Sequence, residues 1–228
     1  MTIDVSARPV ATTKMVGGRL CLDFVNTIGG RDSDPARSKK DPYAVIILRD
    51  KLNDYVDLLA WSRRAGLLNE AELQALIREG KRREAEAASV LARALALREA
   101  IYRICKAIVG KRSPQAVDME LLNQELAQAR DHESLIAVAD GFDWQWTGSR
   151  NELDRMLWPV ARSAAEMLTM GDLTRLHACE GEGCGWLFED TSRNRSRQWC
   201  TMEDCGNLAK VRRFRTRSRH TTKPRKSS

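Results

Sequence analysis

The stretches CEGEGCG (179–185) and RQWCTMEDCGNLAK (197–210) decide how this chain reads. Each sets two cysteines five positions apart, and in each the second cysteine is followed by glycine. Four of the six cysteines, Cys179, Cys184, Cys200 and Cys205, thus form two matched pairs. A structural zinc ion needs four thiolate or imidazole donors at the corners of a tetrahedron, with Zn–S near about 2.3 Å. Two tight turns that each supply a pair meet that need at little loop-closure cost. Gly185 and Gly206, each just after a ligand, let backbone amides turn toward the sulfurs, and Gly181 and Gly183 relax the first turn further. One structural Zn2+ held by the four thiolates is the reading. Unrelated buried cysteines, a redox pair and an iron site remain open alternatives, although the spacing differs from the CxxC of thioredoxin-like centres. Cys21 and Cys105 lie in apolar stretches and read as core.

Working outward, WLFED (186–190) and RQWC (197–200) read as two strands joined by the polar loop TSRNRS. The order is knuckle, hairpin, knuckle and then a helix from about Gly206, a small treble-clef-like four-cysteine zinc module. Some fifty residues carry too little core to fold alone, so metal binding supplies much of the folding free energy. Trp186, Phe188, Trp199 and Phe214 are the apolar side chains available beside the metal. In GNLAKVRRFRTRSRH (206–220), Leu208, Val211 and Phe214 recur at steps of three and read as an inward edge. The rest of the helix is cationic. Candidate nucleic-acid contacts are Arg193, Arg195 and Arg197 in the hairpin, and Lys210, Arg212, Arg213, Arg215, Arg217 and Arg219 on the helix. Arginine outnumbers lysine, which favours bidentate contact with phosphate or guanine edges. Arg197 and Lys210 also read as charges offsetting the thiolates. The spacing does not separate DNA from RNA, and a solvated basic face stays open.

Charge is split along the chain. The net charge is +7, and residues 173–228 hold 13 Lys/Arg against 6 Asp/Glu, so the first 172 residues are balanced. A neutral body with a basic end is a pattern that serves a polyanion partner. No apolar run approaches the roughly 18–20 residues that span a bilayer. The first residues lack a secretion signal, so the expected compartment is the cytoplasm, with reduced thiols and no membrane partner. An enzyme is not expected. Four cysteines close the coordination shell of a zinc ion, His132, His177 and His220 are scattered, and no phosphate-cradling glycine loop stands in context.

The body reads as helical with one small β-hairpin. Residues 1–15 are expected to be disordered. GGRLCLDFVNTIGG (17–30) fits either a short helix or a strand, and 31–42 reads as a loop. Leu52, Tyr55, Val56 and Leu59 share one helix face that stops at Gly66. Asn69 and Glu72 form a capping box for a helix ending at Gly80. A long stripe runs from Arg83 to Val109 and closes at Gly110. Ser113 and Pro114 open a helix to about Arg130, with Val117, Leu121, Leu122 and Leu126 inward. Asp140-Gly141 between β-prone runs marks a hairpin within 134–148. Ser149 and Glu152 head a helix to about Met170, where Pro159 predicts a kink or a late start. The divisions expected are a body over 16–148, a connecting helix over 149–172, the zinc module over 173–219 and a basic disordered tail over 220–228.

The motif C179…C184GWLFED…RQWC200TMEDC205GN…K210VRRFRTR resembles the CGNR zinc-finger family, with Leu208 standing where that family has its eponymous arginine. GGRLCLDFVNT and LLAWSRRAGLL are similar to the ABATE domain that precedes such fingers. The resemblance implies a bacterial, zinc-dependent, DNA-binding transcription regulator, with a homodimer and a small-molecule effector as further partners. An RNA- or ribosome-associated zinc protein is the alternative. Within the matching motif the resemblance points to Asp23, Asn26 and Thr27 as ligand-facing, with Arg19 or Arg31 nearby. Caps and buried hydrogen-bond partners use the same residue types.

Overall fold

The computed structural model describes residues 4–33 and 45–221. It is mainly α-helical. The elements are α1 (Leu20–Val25), β1 (Arg31–Ser33), β2 (Val45–Ile47), α2 (Tyr55–Arg64), α3 (Glu70–Arg82), α4 (Glu84–Val109), α5 (Ala116–Asp131), β3 (Glu133–Val138), β4 (Gly141–Trp146), α6 (Leu157–Met170), β5 (Leu176–Ala178), β6 (Leu187–Glu189) and α7 (Asn207–Thr221). The strands form three antiparallel pairs, β1–β2, β3–β4 and β5–β6. Most of the loop expected over 31–42, and the tail from residue 222, lie outside the described residues.

Local chemistry explains several helix ends. Asp54 caps α2 by accepting from the Asp57 amide, and Gly66 (φ +75°) takes the left-handed position after it. Asn69 and Glu72 close the expected capping box, each side chain accepting from the other's amide at 2.9 Å. Gly80, by contrast, does not stop α3, which continues to Arg82. A Cβ there would lie 2.8 Å from the Tyr55 ring, so the glycine serves a close helix–helix approach. After α4 the left-handed residue is Lys111 (φ 53°), one position beyond the glycine expected to close the helix. The hairpin turns at Ala139-Asp140, with Val138 opposite Gly141.

The core lies between α1, α2, α4 and α6, and α4 lends it Val90, Ala94, Leu97, Ile101 and Ile104. Against the disorder expected over 1–15, the described part of that span, residues 4–15, places Val5 and Val10 in that core. Val10 sits in a short 3-10 turn, Pro9–Thr12, packed on α2. On α5 the expected inward Val117 is 62% exposed. The buried face carries Asp118, Leu122, Glu125 and Ala129, because Arg103 and Arg93 of α4 hold the two carboxylates there. α6 begins late, with Pro159 in its first turn where no intrahelical N–H is needed. Ser149 and Glu152 form a turn ahead of it.

The zinc module departs from expectation in its hairpin. β6 pairs with β5, so the hairpin encloses the first knuckle, and RQWC is not a strand. The reason lies on the other edge of β6, which the body occupies. The Asn26 side chain accepts from the Leu187 amide (3.0 Å) and donates to the Leu187 carbonyl (2.8 Å), as a neighbouring strand would. The Gly17 carbonyl takes the Glu189 amide at 2.8 Å. That edge of β6 is therefore closed to RQWC, which keeps one backbone bond to the first knuckle, from the Glu180 amide to the Gln198 carbonyl at 3.1 Å.

Candidate metal centre and nucleic-acid interface

The first knuckle closes with the Cys184 amide donating to the Gly181 carbonyl, and Gly183 (φ +66°) and Gly185 (φ +63°) supply its left-handed turns. A Cβ at Gly181 would come 2.7 Å from the Cys205 sulfur, so only glycine lets the two knuckles meet. The second knuckle is one π-helical turn, Met202–Gly206, capped by Thr201, whose hydroxyl accepts from the Asp204 amide.

The two turns bring the four sulfurs within 4.8 Å of one another. Cys184 and Cys200 sulfurs stand 3.7 Å apart, and those of Cys200 and Cys205 3.6 Å. A tetrahedron of sulfurs around zinc has edges of about 3.8 Å, given the Zn–S bond length. The geometry fits one structural zinc ion held by Cys179, Cys184, Cys200 and Cys205. The Cys179 sulfur accepts from the Cys200 amide (3.2 Å) and the Gly181 amide (3.4 Å), which offsets negative charge on the thiolates. Cys21 and Cys105 are wholly buried elsewhere, and burial pushes the Cys21 thiol up to about 12, so it stays a neutral core group. Phe188, Trp186, Trp199 and Val16 pack around the cysteines, whereas Phe214 is 73% exposed on α7.

α7 leaves this centre directly from the second knuckle. Its Lys210, Arg212, Arg213 and Arg215 are exposed. Arg212 pairs with Glu182 at 2.5 Å, and the Arg213 guanidinium lies 5.8 Å from the Trp199 ring centroid. Arg217 and Arg219 continue the helix, their side chains outside the described set. The expected inward edge of α7 is not inward: Leu208 and Val211, like Phe214, are exposed, and the element that packs most closely on the helix is the π-turn. Arg193 and Arg195 sit exposed on the loop after β6, with Arg195 beside Asp172. Arg197 turns the other way. It donates to the carbonyls of Trp199, Val16 and Cys200, and its guanidinium lies 4.1 Å above the Phe188 ring.

The three residues of the 17–30 motif are internal. Asp23 accepts from the Gly17 amide, and burial raises its pKa against that hydrogen bond. Asn26 holds β6, and Thr27 donates to the Phe24 carbonyl while accepting from Arg98. Arg19, read from the sequence as a neighbour of the ligand-facing residues, and Trp186, read as packing beside the metal, complete the junction. Arg19 forms a two-pronged pair with Glu189, and the Trp186 indole donates to the Ile28 carbonyl. Pairs of this kind join positions some 160 residues apart, with no local signal.

Residues 18–171 match the ABATE family, described as "Putative stress-induced transcription regulator". The chain belongs to the ABATE family. Its residues 175–218 match the CGNR zinc finger, a span that contains all four clustered cysteines. This ABATE protein is a zinc-binding regulator by family and by donor set. None of the curated proteins matches it. Among the described residues no helix is long and apolar enough to cross a membrane.

Proposed function

We propose that this ABATE protein is a cytoplasmic, non-catalytic, DNA-binding transcription regulator whose zinc builds the mount for a basic recognition helix. The observation that carries the reading is α7 itself. It projects from the second knuckle with Lys210, Arg212, Arg213 and Arg215 exposed on a slender rod that suits the major groove of duplex DNA. Arg193 and Arg195 add positive charge on the neighbouring loop. Arg197 is left out of this interface, since its donors already serve backbone carbonyls. Four thiolates leave the metal no open position for catalysis, which supports a structural role.

For the effector, the reading moves away from Asp23, Asn26 and Thr27, whose polar groups are already paired. A groove of about 420 Å³ between α2, α3 and α4 suits a small, largely apolar molecule, with Tyr55, Val56, Ile77 and Leu91 as its apolar lining and Lys81 and Glu84 at its rim. The expected homodimer has an exposed apolar surface to draw on at the β3–β4 hairpin, where Leu135, Phe142 and Trp144 face solvent.

An electrophoretic or anisotropy series across salt tests the DNA reading, with structured RNA as competitor. Six or more phosphate contacts predict a loss of roughly a thousandfold in duplex affinity from low to moderate ionic strength. Absence of duplex binding at low salt defeats the reading, and stronger capture of RNA replaces it with the RNA-associated alternative. Half-buried Trp186, whose indole N–H is committed to Ile28, speaks against base stacking at that residue.

A further inference from the structure

We infer that the segment 16–31, with Asn26 at its centre, is a clamp on the zinc module that makes metal occupancy and packing of the body one coupled equilibrium.

The clamp reaches the segments that carry Cys179, Cys184 and Cys200, and Lys14, just ahead of it, reaches the turn of Cys205. Asn26 pins both polar groups of Leu187, the residue opposite Ala178 in the β5–β6 ladder, and Ala178 directly precedes Cys179. The Arg31 amide donates to the Cys184 carbonyl at 3.0 Å. The Val16 carbonyl shares the Arg197 guanidinium with the Cys200 carbonyl, at 2.9 and 2.6 Å. Lys14 meets Glu203 and Asp204 on the turn that presents Cys205. The approach is close enough to demand glycine: a Cβ at Gly30 would fall 2.2 Å from the Gly183 carbonyl oxygen.

Behind the clamp the contacts run into the body. Asn26 and Thr27 are fully buried at the end of α1, whose Leu22, Phe24 and Val25 belong to the main core. Arg31, only 3% exposed, forks onto Glu99 and lies 3.8 Å over the Tyr102 ring. Arg98 joins Glu99 to Asp50 and also reaches Thr27. A finger tethered by a linker would leave these groups to water. Here the loss of metal removes the partner that satisfies Asn26, and an unsatisfied buried amide is costly. Coupling of this kind is reciprocal in free energy, so whatever loosens α1 also weakens metal binding. Asn26 is a positioning residue: it touches no metal and acts through Leu187.

The test uses the full chain loaded with zinc and no nucleic acid, so its outcome is separate from that of the DNA reading. Zinc release to an excess of chromophoric chelator is timed for wild type, Asn26→Ala and Arg19→Ala, and amide hydrogen exchange is compared in wild type with and without zinc. Asn26→Ala should speed release about tenfold or more, in the range that loss of an outer-shell partner costs a metal site. Arg19→Ala, which removes only the part-exposed pair with Glu189, should speed it less. Zinc removal should deprotect residues 20–31 as well as the module itself. Unchanged protection over 20–31 overturns the inference, as does a release rate in Asn26→Ala equal to wild type. Should Asn26→Ala fail to fold, the wild-type exchange comparison and Arg19→Ala decide.

Discussion

Arg197 and Arg215 belong to the same basic end of the chain, yet their surroundings give them opposite work. Arg215 stands exposed on α7, while Arg197 satisfies carbonyls of Val16, Trp199 and Cys200. Arg215→Ala should weaken polynucleotide binding about equally across sequences and lower the log–log salt slope by about 1, with melting unchanged. Arg197→Ala should instead lower the melting temperature, since stranded carbonyls cost about 1–3 kcal/mol. Paired salt titrations and thermal melts separate the two; equal loss of affinity with no loss of stability would remove Arg197 from the structural role. Glu99 offers a pH test. Burial raises its pKa, but Arg31 and Arg98 together outweigh burial and hold the carboxyl below the ordinary value. A carboxyl depressed in the folded state stabilises above its unfolded pKa of about 4.3 and ceases to do so as pH falls through its folded value. The stability gap between wild type and Glu99→Gln should therefore be full near neutrality and narrow below about pH 4. A gap that stays constant from neutrality to pH 3 in chemical denaturation contradicts this.

Among the elements, glycines divide by what surrounds them. Gly66 ends α2 at a positive φ, whereas Gly80 lies inside α3 against Tyr55. Gly80→Ala, favourable by helix propensity alone, should destabilise the body by about 1–3 kcal/mol through overpacking against the ring, as read from denaturant midpoints. A stabilised variant would show that the ring moves aside freely. This contrast marks how far sequence carries at the level of elements. Asp140-Gly141 marked the hairpin to within one position of its turn at Ala139-Asp140, and Asn69 and Glu72 act on backbone within a few positions, so their helix start was legible. The inward face of α5 was not, because Asp118 and Glu125 are polar by type and are buried only where Arg103 and Arg93 meet them. RQWC read as a strand from its own composition, and nothing in it disclosed that Asn26 and Gly17 had taken the edge of β6.

At the scale of the molecule, the four-cysteine centre was legible because its ligands come in local pairs, and the basic end because charge accumulates along consecutive residues. The junction was illegible for the converse reason: Asn26 meets Leu187 across 161 positions, and each residue alone reads as ordinary. Together these features describe a neutral helical body, a zinc-built mount fixed to it, and a cationic rod leaving that mount. The claim tested most directly is that metal builds the surface that meets the polyanion. Duplex affinity should be measured at fixed low salt while reduced, metal-free chain is titrated with zinc. The account predicts that binding rises with zinc and saturates at one equivalent per chain, and that Cys184→Ser shows no such rise. Affinity that is the same in the metal-free and zinc-loaded chain would contradict it.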